Sequence, residues 1–140
     1  MTQKIILCKG LPASGKSTFA KMYCQEHPDY VRINKDDLRD LLGSPVFDRD
    51  FEDAVLDIQR RMGLAILHTK KSLIVDDTNF APKHQQYWSN IAKSMGIIFE
   101  VVNFDTPVEE CIRRDAERDK PVGKAVIMGM YEKYVLPTKS

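Results

Sequence analysis

Lys4-Ile5-Ile6-Leu7-Cys8-Lys9-Gly10-Leu11-Pro12-Ala13-Ser14-Gly15-Lys16-Ser17-Thr18-Phe19-Ala20 is the stretch on which the fold turns. Ile5 to Cys8 are consecutive apolar residues and read as a strand, over 4–9, covered on both faces. Gly10 to Ser17 then match G-x-x-x-x-G-K-[ST] in full. Behind them Phe19, Ala20, Tyr23 and Cys24 share one stripe, the mark of a helix from Gly15 to about Glu26. A strand, a glycine-bearing loop and a helix in this order make a cradle for phosphate. Glycine lets the backbone curl so that successive N–H groups point at phosphate oxygens. The helix N-terminus adds a partial positive charge. In such a loop Lys16 is expected to reach the β- and γ-phosphates of a nucleotide, and Ser17 to offer its hydroxyl to Mg²⁺.

Outward from the loop, strand and helix patterns alternate. Short strands are expected over 30–33, 72–75 and 97–104. Asn34, with Asp37 three residues on, reads as the cap of a helix over 35–42 that ends near Gly43. The stretch 43–49 contains Pro45 and reads as a loop. Phe51, Ala54, Val55, Ile58, Met62, Ala65 and Ile66 keep helical spacing over 50–69, as do Tyr87, Trp88, Ile91, Ala92 and Met95 over 82–95, with Gly96 as the stop. Thr106-Pro107-Val108-Glu109 combines a capping box with proline at the first helical position, for a helix running to about Arg118. A break over 119–123 precedes a last helix over 125–135, which Pro137 is expected to end. Alternation of this kind implies one α/β domain over 1–140, a parallel sheet of about four strands flanked by helices on both faces.

Composition narrows the function. The chain has 140 residues, is 43% hydrophobic and carries a formal net charge of +1. That supports one packed domain and argues against a basic body gripping long duplex nucleic acid. Cys8, Cys24 and Cys111 form no CxxC pair and no metal-spaced cluster, which fits reduced thiols in a cytoplasm; Cys8 reads as a small core residue. No apolar run approaches the ~18 residues of a membrane span, and the apolar N-terminus leads into the glycine loop rather than a cleavage site.

Parallel sheets bind ligands beyond the carboxyl ends of their strands, and three further constellations fall there. Asp36 and Arg39 stand i, i+3 after the second strand, so a carboxylate able to take a hydroxyl proton shares a helix face with a guanidinium able to hold a phosphate. Asp76-Asp77-Thr78-Asn79 follows the third strand, where one acid could orient Mg²⁺ or its waters or the run could be a turn capping the next helix; two acids beside a nucleotide favour the first. Arg113, Arg114, Glu117, Arg118 and Lys120 precede Pro121; arginines there suit either a lid over a transferring phosphoryl group or an ordinary helix end. His27, His68 and His84 are scattered and read as structural or exposed. Asp48-Arg49-Asp50 lacks the preceding strand of an aspartyl phosphatase motif, so that chemistry is not expected.

Taken together, the phosphate loop with Lys16-Ser17-Thr18, Ile33-Asn34-Lys35-Asp36-Asp37-Leu38-Arg39, Val75-Asp76-Asp77-Thr78-Asn79-Phe80-Ala81-Pro82, Phe104-Asp105-Thr106-Pro107 with Arg114 and Arg118, and Met130-Tyr131-Glu132-Lys133-Tyr134 resemble the kinase domain of phage-type 5′-hydroxyl polynucleotide kinases. The resemblance runs nearly the whole chain. It implies an adenylate-kinase-like P-loop fold and a tunnel with ATP, or another nucleoside triphosphate, at one end and the 5′-OH end of DNA or RNA at the other. It implies nucleotide binding by Gly10, Pro12, Ala13, Ser14, Gly15, Lys16, Ser17 and Thr18, helped by Arg114 and Arg118, with Lys16, Asp36 and Arg118 catalytic. It makes Asp36 the general base, has Asp36, Arg39, Asp77 and Thr78 meet the acceptor, and gives Mg²⁺ to Ser17 and Asp77. Two departures stand out. The family's best-known members add a phosphatase domain, without which end healing is half a reaction. The family's pattern often has arginine where Lys35 stands. Two other readings stay open: a kinase of the same fold for a nucleoside, sugar or similar alcohol, and a non-catalytic ATP-binding module. A lone nucleoside or sugar has no phosphate for Arg39, and a pure sensor needs no base at Asp36.

Overall fold

The computed structural model describes residues 2–43 and 48–139. Strands β1 (Lys4–Gly10), β2 (Tyr30–Ile33), β3 (Ser72–Asp76) and β4 (Ile98–Phe104) pair in parallel in the order β2-β3-β1-β4. Helices α1 (Lys16–Glu26), α2 (Lys35–Leu41), α3 (Arg49–His68), α4 (Pro82–Met95), α5 (Val108–Ala116) and α6 (Lys124–Met130) connect and cover them. The chain-order expectations hold to within a residue or two for the sheet and for the helices up to α4. Part of the expected loop at 43–49, Pro45 included, lies outside the described residues.

Both faces of the sheet are buried because successive side chains of a strand alternate in direction. Ile5, Leu7, Leu73 and Val75 point to one side, where they pack with Leu67 of α3 and with Trp88 and Ala92 of α4. Ile6, Cys8 and Ile74 point to the other, against Ala20, Phe19 and Tyr23 of α1. This explains the unbroken apolar runs of β1 and β3, which have no solvent side. Gly63 lets α3 approach α4, since a Cβ there would stand 2.4 Å from the buried Trp88 ring. A third cluster, Leu11, Val108, Cys111 and Ile127, fastens α5 and α6 over the phosphate loop.

Two expectations are corrected. Pro107 is the residue before α5 rather than its first, and Thr106 does not cap the helix: its Oγ1 donates to the Ser14 carbonyl at 2.8 Å. The cap side chain is drawn instead to the phosphate loop, and α5 ends at Ala116, leaving Arg118 in the segment beyond. The last helix also fails to run unbroken to 135. After α6 the backbone widens into a π turn, Tyr131–Val135, and tightens into a 3₁₀ turn, Leu136–Lys139, that includes Pro137. Proline has no N–H and its ring crowds the carbonyl four residues back, so a regular α turn cannot include it and the register changes.

Candidate active site

Parallel pairing brings the carboxyl ends of all four strands to one edge. Cys8 lies opposite Asp76, Gly10 opposite Phe104, and Ile33 opposite Val75. The loop after β1, the start of α2, the turn after β3 and the start of α5 therefore share one rim.

The phosphate loop is a close-fitted turn. A Cβ on Gly10 would lie 2.8 Å from Ser14 Oγ and 2.9 Å from Phe104 Cβ. Gly15 sits at φ 105° as the residue before α1, with no side chain capping the helix, so the first N–H groups of α1 face outward for an anion. Ala13 adopts φ 62°, a left-handed conformation costing on the order of 1 kcal/mol or more for a residue with a Cβ. Pro12 and Ser14 are buried, whereas Ser17 and Thr18 are exposed at the mouth. Lys16 is buried and folds back, its Nζ donating to the carbonyls of Gly10 at 2.9 Å and Leu11 at 2.6 Å. Burial pulls its ammonium below the ordinary lysine value, and Asp76 and Asp77 oppose that shift.

At the end of β3 two adjacent acids do different things. Asp76 is 1% exposed; its Oδ2 accepts from Arg32 Nε at 2.7 Å, and its buried Oδ1 has no hydrogen-bond partner among the described residues. Asp77 uses both oxygens structurally: Oδ1 accepts from the Lys35 N–H at 3.0 Å and Oδ2 from Gln59 Nε2 at 2.7 Å. Burial pushes the Asp77 carboxyl up, while Lys35 and the Gln59 bond hold it down. Thr78 contributes its backbone carbonyl, which accepts from the Gly10 N–H at 3.1 Å and ties this turn to the phosphate loop. Asn79, at φ 52°, donates to the Cys8 carbonyl at 2.7 Å.

Asn34 caps α2, accepting from the Asp37 N–H at 2.9 Å and donating to the Asp76 carbonyl. This locks α2 against β3, with Asp36 exposed on its first turn. Asp36 and Arg39 form the expected pair, Arg39 Nη1 donating to Asp36 Oδ1. Sequence reading missed the third member. Glu52 of α3 takes the other edge of the guanidinium through both its oxygens, with Nε to Oε2 at 3.0 Å, and raises the Arg39 pKa further. The two residues are thirteen apart and on different helices, so no spacing rule connects them.

Arg114 leans toward the loop, its Nη1 3.9 Å from where a Cβ on Gly15 would stand, while its Nε donates to Glu110 at 3.1 Å. Arg118 donates to Asp115 at 3.3 Å. Asp115 is 2% exposed and also accepts from the Val122 and Gly123 N–H groups, at 3.0 and 2.9 Å, fixing the turn that carries Arg118. Arg113 pairs with Glu110, which it shares with Arg114, and with Glu117 on the surface. Asp48 of the Asp48-Arg49-Asp50 run caps α3, accepting from the Asp50 N–H at 3.0 Å.

Known proteins share this fold. Residues 5–137 match the family described as AAA domain. The chain is 30% identical over 137 residues to an L-seryl-tRNA(Sec) kinase of Methanococcus maripaludis, covering 53% of that protein, so it spans about half the length of this curated relative. Its fold is similar to a chain in the Pnkp1/Rnl/Hen1 RNA repair complex, with a TM-score of 0.78 and 25% identity over 99% of this chain and 45% of the other. It is similar, too, to the Mycobacterium tuberculosis APS kinase CysC, solved with AMPPNP and APS, with a TM-score of 0.62, 24% identity, and coverage of 99% of this chain and 77% of the other. The architecture is that of a P-loop kinase domain.

Proposed function

We propose that this chain, which belongs to the AAA domain family and has the fold of a P-loop kinase, transfers the γ-phosphate of ATP to a 5′-hydroxyl end of DNA or RNA. The observation that carries the reading is the Asp36–Arg39 pair, held by Glu52 on the rim shared with the phosphate loop. An exposed carboxylate there accepts the proton of an attacking hydroxyl. The guanidinium beside it suits the phosphate next to that hydroxyl, because a planar fork binds a phosphate bidentately. The likeness to a chain of an RNA repair complex supports a nucleic acid acceptor.

Each group then has a task. The loop N–H groups and Lys16 hold the triphosphate, Lys16 exchanging the Gly10 and Leu11 carbonyls for phosphate oxygens. Arg118, with Arg114 beside it, balances charge on the transferring group. Asp77 and Thr78 shape the acceptor side through the backbone of α2 and the phosphate loop. Ser17 Oγ and the unpartnered Asp76 oxygen fit Mg²⁺, which would offset phosphate charge when bound; Asp77, with both oxygens engaged, fits it less well. Among the described residues no group of three or more histidine, cysteine or acidic side chains could hold a metal alone. That agrees with an ion bound mainly through nucleotide phosphates and water.

A second reading rests on the seryl-tRNA kinase relative: the hydroxyl would be carried on an aminoacyl group of a tRNA rather than on a 5′ end. The deciding experiment offers γ-labelled ATP and Mg²⁺ with a 5′-OH oligonucleotide, a nucleoside 3′-monophosphate, a plain nucleoside and seryl-tRNA. Labelling of the first two and not the third is expected. Labelling of seryl-tRNA alone would replace the 5′-end reading, and labelling of the plain nucleoside would favour a small-alcohol kinase.

A further inference from the structure

Arg32 points from the middle of β2 into the rim and belongs to none of the motifs discussed above. Its guanidinium spans three partners: Nε to Asp76 Oδ2 at 2.7 Å, Nη1 to Asp37 Oδ2 at 2.7 Å, and Nη2 to Ser17 Oγ at 3.5 Å. Two of the three, Ser17 and Asp76, are the side chains that fit Mg²⁺. The side chain is only 15% exposed, so this is a held cation and not a wandering surface charge. Asp76 needs one. A carboxylate 1% exposed with no counter-charge would be strongly unfavourable, and Lys16, the other cation at hand, gives its hydrogen bonds to carbonyls and Ser14.

We propose that Arg32 is the resident counter-ion of the metal seat: it occupies Asp76 and Ser17 while the nucleotide is absent and yields them when a metal–nucleotide complex enters. The inference rests on the phosphotransferase reading. With Mg²⁺ at the open Asp76 Oδ1 and Ser17 Oγ, Arg32 on Oδ2 and 3.5 Å from Ser17 Oγ would put a second cation on the same carboxylate, and the two would repel. Arg32 keeps a second anchor in the exposed Asp37, so it can swing outward without losing every partner. The exchange also leaves a positive charge near the triphosphate when metal is scarce.

The test measures binding of AMPPNP as Mg²⁺ is titrated, and again in EDTA, for the wild-type chain, Arg32→Gln and Arg32→Lys. Removing the competitor should lower the half-saturating Mg²⁺ about tenfold in Arg32→Gln, the scale of one charge-assisted hydrogen bond. It should also weaken metal-free AMPPNP binding. Arg32→Lys keeps the charge, protects folding and should fall between, because an ammonium cannot span three partners. A half-saturating Mg²⁺ that stays unchanged or rises in folded variants would overturn the proposal. The wild-type protein offers a check that needs no variant: the Arg32 Nε–H resonance should shift with Mg²⁺–AMPPNP and hold its position with AMPPNP in EDTA. Movement equal in both conditions, or none in either, counts against the exchange. Failure of AMPPNP to bind under any condition would sink the phosphotransferase reading and this inference together, whereas binding without the Mg²⁺ effect sinks only the latter.

Discussion

Asp36 and Arg39 are neighbours on one helix face, and their pairing was legible from spacing alone. The geometry behind them was not, since Glu52 reaches Arg39 from another helix. Asp36→Asn keeps the shape and removes the carboxylate proposed to accept the proton. It is expected to cut transfer by about 10²-fold or more with nucleotide affinity near wild type, as read by single-turnover kinetics beside equilibrium binding. Arg39→Ala should chiefly raise the acceptor KM. Glu52→Gln should raise it less, because the guanidinium keeps Asp36 but loses its ionic brace; an unchanged KM in both would remove the pair from acceptor binding. The acids after β3 show the limit of reading by residue type. Asp76 and Asp77 are indistinguishable in sequence, and only their partners separate an acid with an unfilled oxygen from one that fastens α2 to α3.

At the scale of elements, periodicity placed each strand and the helices up to α4 because burial decides those patterns. It went astray where a side chain had a competing partner or a proline intervened, at Thr106 and Pro137. The α3–α4 contact carries two predictions. Gly63→Ala adds a methyl against Trp88, and overpacking of about 1–3 kcal/mol should outweigh the gain in helix propensity, lowering the urea midpoint. On α4, His84 is held down to about 4, first by burial and then by Lys35, Lys83 and Arg60. A histidine whose folded pKa lies below its ordinary 6.5 resists protonation in the native state. Its contribution is therefore intact above 6.5 and lost as pH falls from 6.5 toward 4. A wild-type midpoint that declines across that window, with a flatter decline in His84→Gln, is the expected outcome.

In the whole molecule, Asp115 fastens the segment that carries Arg118, and the Leu11–Ile127 cluster seats α5 and α6, the helices on either side of it, over the phosphate loop. Asp115→Ala would take the carboxylate acceptor from the Val122 and Gly123 N–H groups, at about 1–3 kcal/mol. It should lower both Tm and kcat, and a kcat loss that persists well below Tm would separate loosening of Arg118 from general instability. Sequence by itself determined the α/β class, the phosphate loop and the Asp36–Arg39 pair, because each follows from local spacing, glycine geometry or alternating burial. The tertiary structure alone decided that Glu52 braces Arg39, that Asp76 and not Asp77 keeps an open oxygen, and that Arg32 lies between Asp76 and Ser17. Those contacts join residues 13 to 44 positions apart across different elements. Charge pairing at such separations is set by where the sheet register brings the strand ends together, and no local pattern encodes it.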